Sequence, residues 1–143
     1  MKMSKLSFYL CLATLLMRCA GTGTKDIGAI TMAATDRAAT TVFVLRDTGY
    51  SGSANLLDVT LDGVIIANLG DGETVTYPVA AGNHALQVGF RGLGGVGVNE
   101  PMSTFEILEA EKKFFSIQLR AGVLTNTLLV TEVSRDSFFS IFS

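Results

Sequence analysis

Tryptophan is absent from this chain of 143 residues, and histidine occurs once, at His84. A lone histidine cannot build a histidine-based metal site without help from carboxylates. Both cysteines, Cys11 and Cys19, lie within the first 19 residues. The rest of the chain therefore holds no disulfide and no cysteine metal site. Charged residues make up only 17% of the chain and the net charge is −2, which argues against a nucleic-acid-binding surface.

Hydrophobic residues, at 48% of the chain, are frequent enough to build a core. The length suits one ordinary domain and no more. Proline occurs twice and glycine 15 times. Low charge combined with many glycines and β-branched residues favours an all-β domain.

The first 18 residues are typical of a secretory signal peptide. Lys2 and Lys5 precede an apolar run over residues 6–17. This run is too short to span a bilayer, which takes about 20 residues, but it suits the apolar region of a signal peptide. Without the first 18 residues the chain holds 8 basic and 13 acidic residues, a net charge of −5. Charge alone would therefore not draw the mature chain to an anionic lipid surface.

The sequence Leu16-Met17-Arg18-Cys19 resembles the lipobox of bacterial lipoproteins. In that family the cysteine carries the lipid, such as palmitate, and becomes the first residue of the mature protein. The resemblance thus implies lipidation of Cys19 and a membrane-anchored protein of the bacterial cell envelope, facing the periplasm or the cell exterior. Arg18 departs from the small residue that usually precedes the cysteine. A plain secretory signal and an uncleaved anchor are the alternatives.

The remainder of the chain divides into three predicted segments. Residues 19–39 are small and polar and predict a flexible tether with at most one helical turn. Residues 40–134 predict a single antiparallel β-sandwich of about eight short strands. The tail, residues 135–143, contains aromatic residues without a clear partner.

Alternating apolar residues and turn signals locate the strands of this domain. Asp62-Gly63 predicts a two-residue hairpin, and Pro78 predicts an edge strand or a strand end because proline donates no hydrogen bond. The predicted strands cover residues 40–47, 55–63, 64–69, 73–80, 85–90, 103–109, 114–120 and 127–134.

The turns between residues 58 and 88 carry a second resemblance. They are similar to those of PEGA-type domains and of a lipoprotein family built on an uncharacterised domain of unknown function. The matching residues are Asp62, Gly63, Leu69, Gly72, Pro78, Gly82, His84 and Leu86. The similarity covers roughly residues 40–133, and since its motifs are turn residues it implies a fold more than an activity.

Gly92, Gly94 and Gly97 match the dinucleotide-binding pattern G-x-G-x-x-G. That pattern binds pyrophosphate only where a helix begins at the third glycine. Here Pro101 and a strand pattern follow instead. We therefore expect a glycine-rich loop and neither a nucleotide nor any other cofactor.

The remaining polar residues suggest no catalytic centre and no metal site. His84 follows a Gly-Asn turn, where a structural role is expected. Four acidic residues surround two turns: Asp58, Asp62, Asp71 and Glu73. Calcium would require several of these carboxylate oxygens to converge. Aspartate is also common in Asp-Gly turns without any metal, because its side chain hydrogen-bonds the local backbone and tolerates the left-handed conformation.

These observations favour a non-enzymatic, lipid-anchored module that binds or scaffolds another envelope protein or component. The contact residues that we predict are Tyr50 in loop 47–54, and Arg91 and Gly94 in loop 91–100. A small-ligand-binding or metal-binding secreted domain is one alternative. An enzyme with a dispersed carboxylate site is the other.

Overall fold

The computed structural model describes residues 21–48, 55–92 and 97–141. These residues form eight strands and two helices. The strands are β1 (Thr41–Arg46), β2 (Leu57–Leu61), β3 (Val64–Leu69), β4 (Thr74–Pro78), β5 (Gly82–Phe90), β6 (Met102–Ile107), β7 (Lys112–Arg120) and β8 (Thr127–Val133); the helices are α1 (Ile27–Thr35) and α2 (Arg135–Ser140).

The strands form two four-stranded sheets. Sheet A has the order β4-β1-β7-β8, and sheet B has the order β3-β2-β5-β6. Buried side chains from both sheets share one hydrophobic cluster. Phe105 of sheet B and Phe115 of sheet A have ring centroids 4.9 Å apart in this cluster. The architecture is therefore mainly β and sandwich-like, with all eight predicted strands present.

The structure differs from the predicted antiparallel sandwich at one strand pair. β1 and β7 pair in parallel, from Thr41 opposite Lys112 to Arg46 opposite Ile117. Parallel neighbours need a crossover connection, and here strands β2 to β6 lie between the two in the sequence. Hydrophobic alternation does not encode strand direction, so this parallel pair could not be predicted from it.

Two local turn predictions are confirmed. Asp62 and Gly63 have φ angles of 50° and 82°, the left-handed conformation that a tight hairpin of the primed type requires. They join β2 to β3. Pro78 ends β4, an edge strand of sheet A, where its missing N–H costs no ladder bond.

Strand β1 is buried along its whole length because sheet A is covered on both faces. Val42 and Val44 belong to the cluster between the sheets. Phe43 and Leu45 point the other way, into a second cluster beneath the two helices. A continuous apolar run such as TVFVL is typical of a strand that is buried on both faces.

Helix α1 lies within the segment predicted to be a flexible tether, so the structure differs from that expectation over residues 21–39. Asp26 begins the helix by accepting hydrogen bonds from the N–H groups of Gly28 and Ala29, at 2.9 and 3.2 Å. Ile30 and Ala34 are buried in the second cluster. The helix is therefore part of the folded domain.

Helix α2 lies within the predicted tail, and it packs against sheet A. The Ser134 hydroxyl accepts a hydrogen bond from the N–H of Ser137 at 3.1 Å and begins the helix. Phe138 is completely buried against Phe43 and Phe114, with ring centroids 6.2 and 5.2 Å away. Neither helix in the described part of the chain is long and apolar enough to cross a membrane.

Candidate functional site

The loops that follow β1, β3, β5 and β7 meet at one end of the domain, which we call the upper end. In sheet B, Leu57, Leu69 and Phe90 are cross-strand neighbours at this end. The turn 70–73 carries the chain from there to the start of β4, where Thr74 pairs with Leu45 of β1. Because β7 runs parallel to β1, turn 121–126 also lies at the upper end.

One of the four predicted site residues lies within the described residues. Arg91 is exposed at the upper end, where its Nη1 donates to the side-chain oxygen of Asn68 at 3.1 Å. Its backbone N–H donates to the carbonyl of Leu56 at 2.9 Å. Cys19, Tyr50 and Gly94 lie outside the described residues.

The described residues that flank the two predicted contact loops all lie at the upper end. Thr48 and Asn55 lie on either side of residues 49–54 of the first loop, and Gly92 and Gly97 lie on either side of residues 93–96 of the second. After Gly97 the chain continues into β6, which pairs antiparallel with β5. The strand predicted after the glycine-rich loop is thus confirmed.

Arg46 is a buried cation at the upper end. Arg46, the last residue of β1, is only 6% exposed. Its Nη1 donates to the backbone carbonyls of Asn55 and Leu69, the latter at 3.0 Å. Burial lowers the pKa of the Arg46 guanidinium, and the charges of Asp71 and Glu73 act in the opposite direction. Arg46 therefore links the two sheets at this end.

An open cleft of about 260 Å³ lies beside Arg46. The amide of Gln118 donates to the carboxylate of Asp47 across it, at 3.3 Å. The lining residues are Arg46, Asp47, Thr48, Leu57, Asp71, Phe90, Ile117, Gln118, Leu119 and Arg120. The cleft is mixed in character, since carboxylates, cations and apolar side chains all border it.

Asn99 is a structural residue of the upper end that the sequence analysis missed. Its side chain donates to the backbone carbonyl of Leu128 at 2.9 Å and accepts from the N–H of Leu128 at 2.8 Å. β8 is an edge strand, so Asn99 takes the place of a neighbouring strand at this point. The glycine-rich loop is thus fastened to the sheet at its C-terminal side.

His84 lies at the opposite, lower end, in a structural role. Its Nδ1 is 2.7 Å from the carboxylate of Asp62, and its Nε2 is 2.8 Å from the carbonyl of Ala80. Asp62 also accepts from the N–H of Ala85 at 2.9 Å. The histidine therefore ties the β2–β3 hairpin to the β4–β5 turn.

The stability of the domain is expected to fall as the pH rises through the pKa of His84. Both ring nitrogens face acceptors, so the hydrogen bond with Asp62 and that with Ala80 raise this pKa. A raised pKa stabilises the fold fully below the unfolded value of about 6.5, and this stabilisation is lost above the folded value. Because Asp62 is half exposed, the effect amounts to at most about 1 kcal/mol.

This prediction can be checked by NMR titration of the single histidine and by urea unfolding over a pH series. Asp62→Asn should return the pKa of His84 towards its ordinary value and flatten the loss of stability. Glu109→Gln, at an exposed carboxylate of the same end, should leave both unchanged. A His84 pKa at or below its ordinary value in the wild-type protein would contradict the prediction.

The acidic residues considered as calcium ligands do not converge. Asp62 lies at the lower end, whereas Asp71 and Glu73 lie in the turn 70–73 at the upper end. Asp58 accepts a hydrogen bond from the amide of Asn68. Over residues 21–48, 55–92 and 97–141, no three His, Cys, Asp or Glu side chains are grouped to hold a metal ion.

The fold defines a two-sheet β domain with helices covering one sheet. Comparison with known protein families gives no match for this chain, and comparison with curated proteins gives none either.

Proposed function

We propose that this chain is a lipid-anchored protein of the bacterial cell envelope whose β domain binds or scaffolds another envelope component and catalyses no reaction. The observation that carries the proposal is the N-terminal sequence, in which Lys2 and Lys5 precede an apolar run that ends at Leu16-Met17-Arg18-Cys19. The resemblance to PEGA-type lipoprotein domains stays a prediction and points to the same class of protein.

The arrangement of the upper end supports this proposal. The loops that contain Tyr50 and Gly94 begin and end there, beside the exposed Arg91. Loops held at one end of a rigid sheet scaffold are a common way to present a contact surface. Arg46 and Asn99 fasten the bases of these loops to the sheets.

Lipidation of Cys19 is the first expectation. In a bacterial host supplied with labelled palmitate, the wild-type chain should carry the label and sediment with membranes. Cys19→Ala should lose both properties. Cys11→Ala is the matched control, because Cys11 lies in the segment to be removed, and it should keep the label. An unlabelled wild-type chain, or a label that survives Cys19→Ala, would overturn the proposal.

The cleft at the upper end favours a second candidate, a small-ligand-binding domain. Asp47, Asp71 and Arg120 border the cleft and could pair with charged groups of a ligand. We rank this candidate second because the guanidinium of Arg46 already donates to two backbone carbonyls. A thermal-shift screen against ions and metabolites would favour it if one of them raised the melting temperature.

A further inference from the structure

The chain between Cys19 and the domain is very short. The Thr22 N–H donates to the carbonyl of Asn68 at 2.7 Å, and the Asn68 N–H donates to the Thr22 hydroxyl at 2.8 Å. Thr24 pairs with Thr74 through two backbone hydrogen bonds of 2.8 Å. Even a fully extended chain places Thr22 at most about 11 Å from Cys19.

This attachment lies at the upper end of the domain. Thr74 begins β4, and Gly21 lies directly against Glu73 and Gly70 in the β3–β4 turn. A lipid on Cys19 would therefore hold the upper end, and not the lower one, next to the bilayer. A flexible tether of residues 19–39 would have left the orientation free, but the structure contains no such tether over residues 21–39.

The upper end also exposes two adjacent large apolar side chains. Val123 and Leu124 are 102% and 94% exposed at the turn between β7 and β8. β4 and β8 are opposite edges of sheet A, and Thr24 pairs on the outer side of β4. The attachment at Thr24 therefore lies three to four strand spacings from this turn, about 14–19 Å. The two points lie on opposite sides of the same end.

Exposed charges distinguish the two ends as well. At the upper end the exposed charged residues are Lys25, Arg91 and Arg120 against Asp26 and Glu100, while Asp47, Asp71 and Glu73 are half-buried. At the lower end the exposed acidic residues outnumber the exposed basic ones; they are Asp36, Asp62, Glu106, Glu109, Glu132 and Asp136, against Arg37 and Arg135. By its exposed charges the upper end is therefore less acidic than the lower end, so an anionic lipid surface would repel it less.

From these observations we infer that the upper end lies directly on the lipid bilayer, with Val123 and Leu124 inserted at its surface. The inference rests on the proposed lipid anchor at Cys19. The acylated N-terminus and the apolar turn together give two attachment points at the same end of the domain, which restrict its tilt on the membrane.

A single introduced tryptophan tests this inference, because the chain has none of its own. The full-length Leu124→Trp protein would be extracted from bacterial membranes and placed in vesicles of phosphatidylcholine and phosphatidylglycerol, with or without brominated acyl chains. Leu108→Trp is the matched control: Leu108 is 63% exposed but lies at the lower end. β7 spans nine residues between the two ends, about 27 Å.

We expect brominated lipid to quench most of the fluorescence of Leu124→Trp and little of that of Leu108→Trp. Val123→Trp should repeat the result for Leu124→Trp. Agreement of the two variants would show that the quenching is not caused by a local distortion in one of them. Equal quenching at both ends, or quenching at neither in a protein that floats with the vesicles, would overturn the inference.

The mass of the extracted protein shows whether it carries acyl groups. It therefore distinguishes a failure of this inference from a failure of the proposed lipid anchor. An acylated protein that floats with vesicles but shows no quenching at position 124 overturns the orientation alone. A protein without acyl groups that stays out of the vesicle fraction overturns the anchor, and the inference with it.

Discussion

Replacing Phe138 by alanine is expected to destabilise the domain by about 3–5 kcal/mol, the usual cost of removing a buried phenylalanine. Phe138 is completely buried, with the rings of Phe43 and Phe114 as its neighbours. Removing the ring would leave a cavity between helix α2 and sheet A. Since small domains are stable by only about 5–15 kcal/mol, this loss should be visible as a large fall in the urea midpoint at an unchanged m-value.

Met32→Ala is the control for this variant. Met32 lies on the other helix that covers sheet A, but it is 75% exposed, and alanine favours helix at least as much as methionine. We expect a change within about 0.5 kcal/mol. If Phe138→Ala were as mild as Met32→Ala, helix α2 would not be packed on the sheet in solution.

The second large effect is expected for Arg46→Met at the upper end. Methionine retains much of the apolar stem but removes the donor to the carbonyls of Asn55 and Leu69. A buried acceptor left without a partner costs about 1–3 kcal/mol. The bond to Leu69 is buried, whereas the bond to Asn55 is only part-buried and contributes less, so we expect a loss of about 2–4 kcal/mol. The carboxylates of Asp71 and Glu73 would also lose the opposite charge that faces them. Urea unfolding measures the loss.

Arg91→Met provides the matched control, since Arg91 is an exposed arginine at the same end. Its guanidinium makes a hydrogen bond of 3.1 Å to Asn68, and exposed contacts of this kind change stability by only about 0.5 kcal/mol. Equal losses for the two variants would show that Arg46 does not link the sheets. Hydrogen exchange in the turn 70–73 should increase in Arg46→Met alone, because that turn follows the carbonyl of Leu69.

The positions of the strands could be predicted because their signals are local. Leu57, Val59 and Leu61 alternate with polar residues and are all buried in β2, as a half-buried strand requires. Asp62-Gly63 can adopt the left-handed conformation of the hairpin without help from the rest of the fold. Neither inference needs to know which strand lies beside which.

The two helices could not be predicted in the same way. Residues 27–35 contain one glycine and four β-branched residues, which lower helix propensity, and their hydrophobic periodicity is weak. The signal that was available is Asp26, which is a favourable N-cap residue. Helix α2 has only six residues, and its stability depends on burying Phe138 rather than on propensity.

The upper end was only partly predictable. Turn composition located the loops that contain Tyr50, Arg91 and Gly94, but it could not show that these loops share one end of the domain. Arg46 was unremarkable in the sequence because it looks like any charged residue that ends a strand. Its importance depends on the carbonyls of Asn55 and Leu69, which the folded chain brings to it.

By itself the sequence determined the eight strands, the hairpin at Asp62-Gly63 and the edge position of Pro78, since each depends on residues a few positions apart. Only the tertiary structure decided that β1 pairs in parallel with β7, that both helices pack on sheet A, and that Thr22 and Thr24 are fastened to the upper end. The reason is physical: these features are contacts between residues far apart in the chain, and their energy comes from burial and hydrogen bonds that exist only once the sheets have assembled.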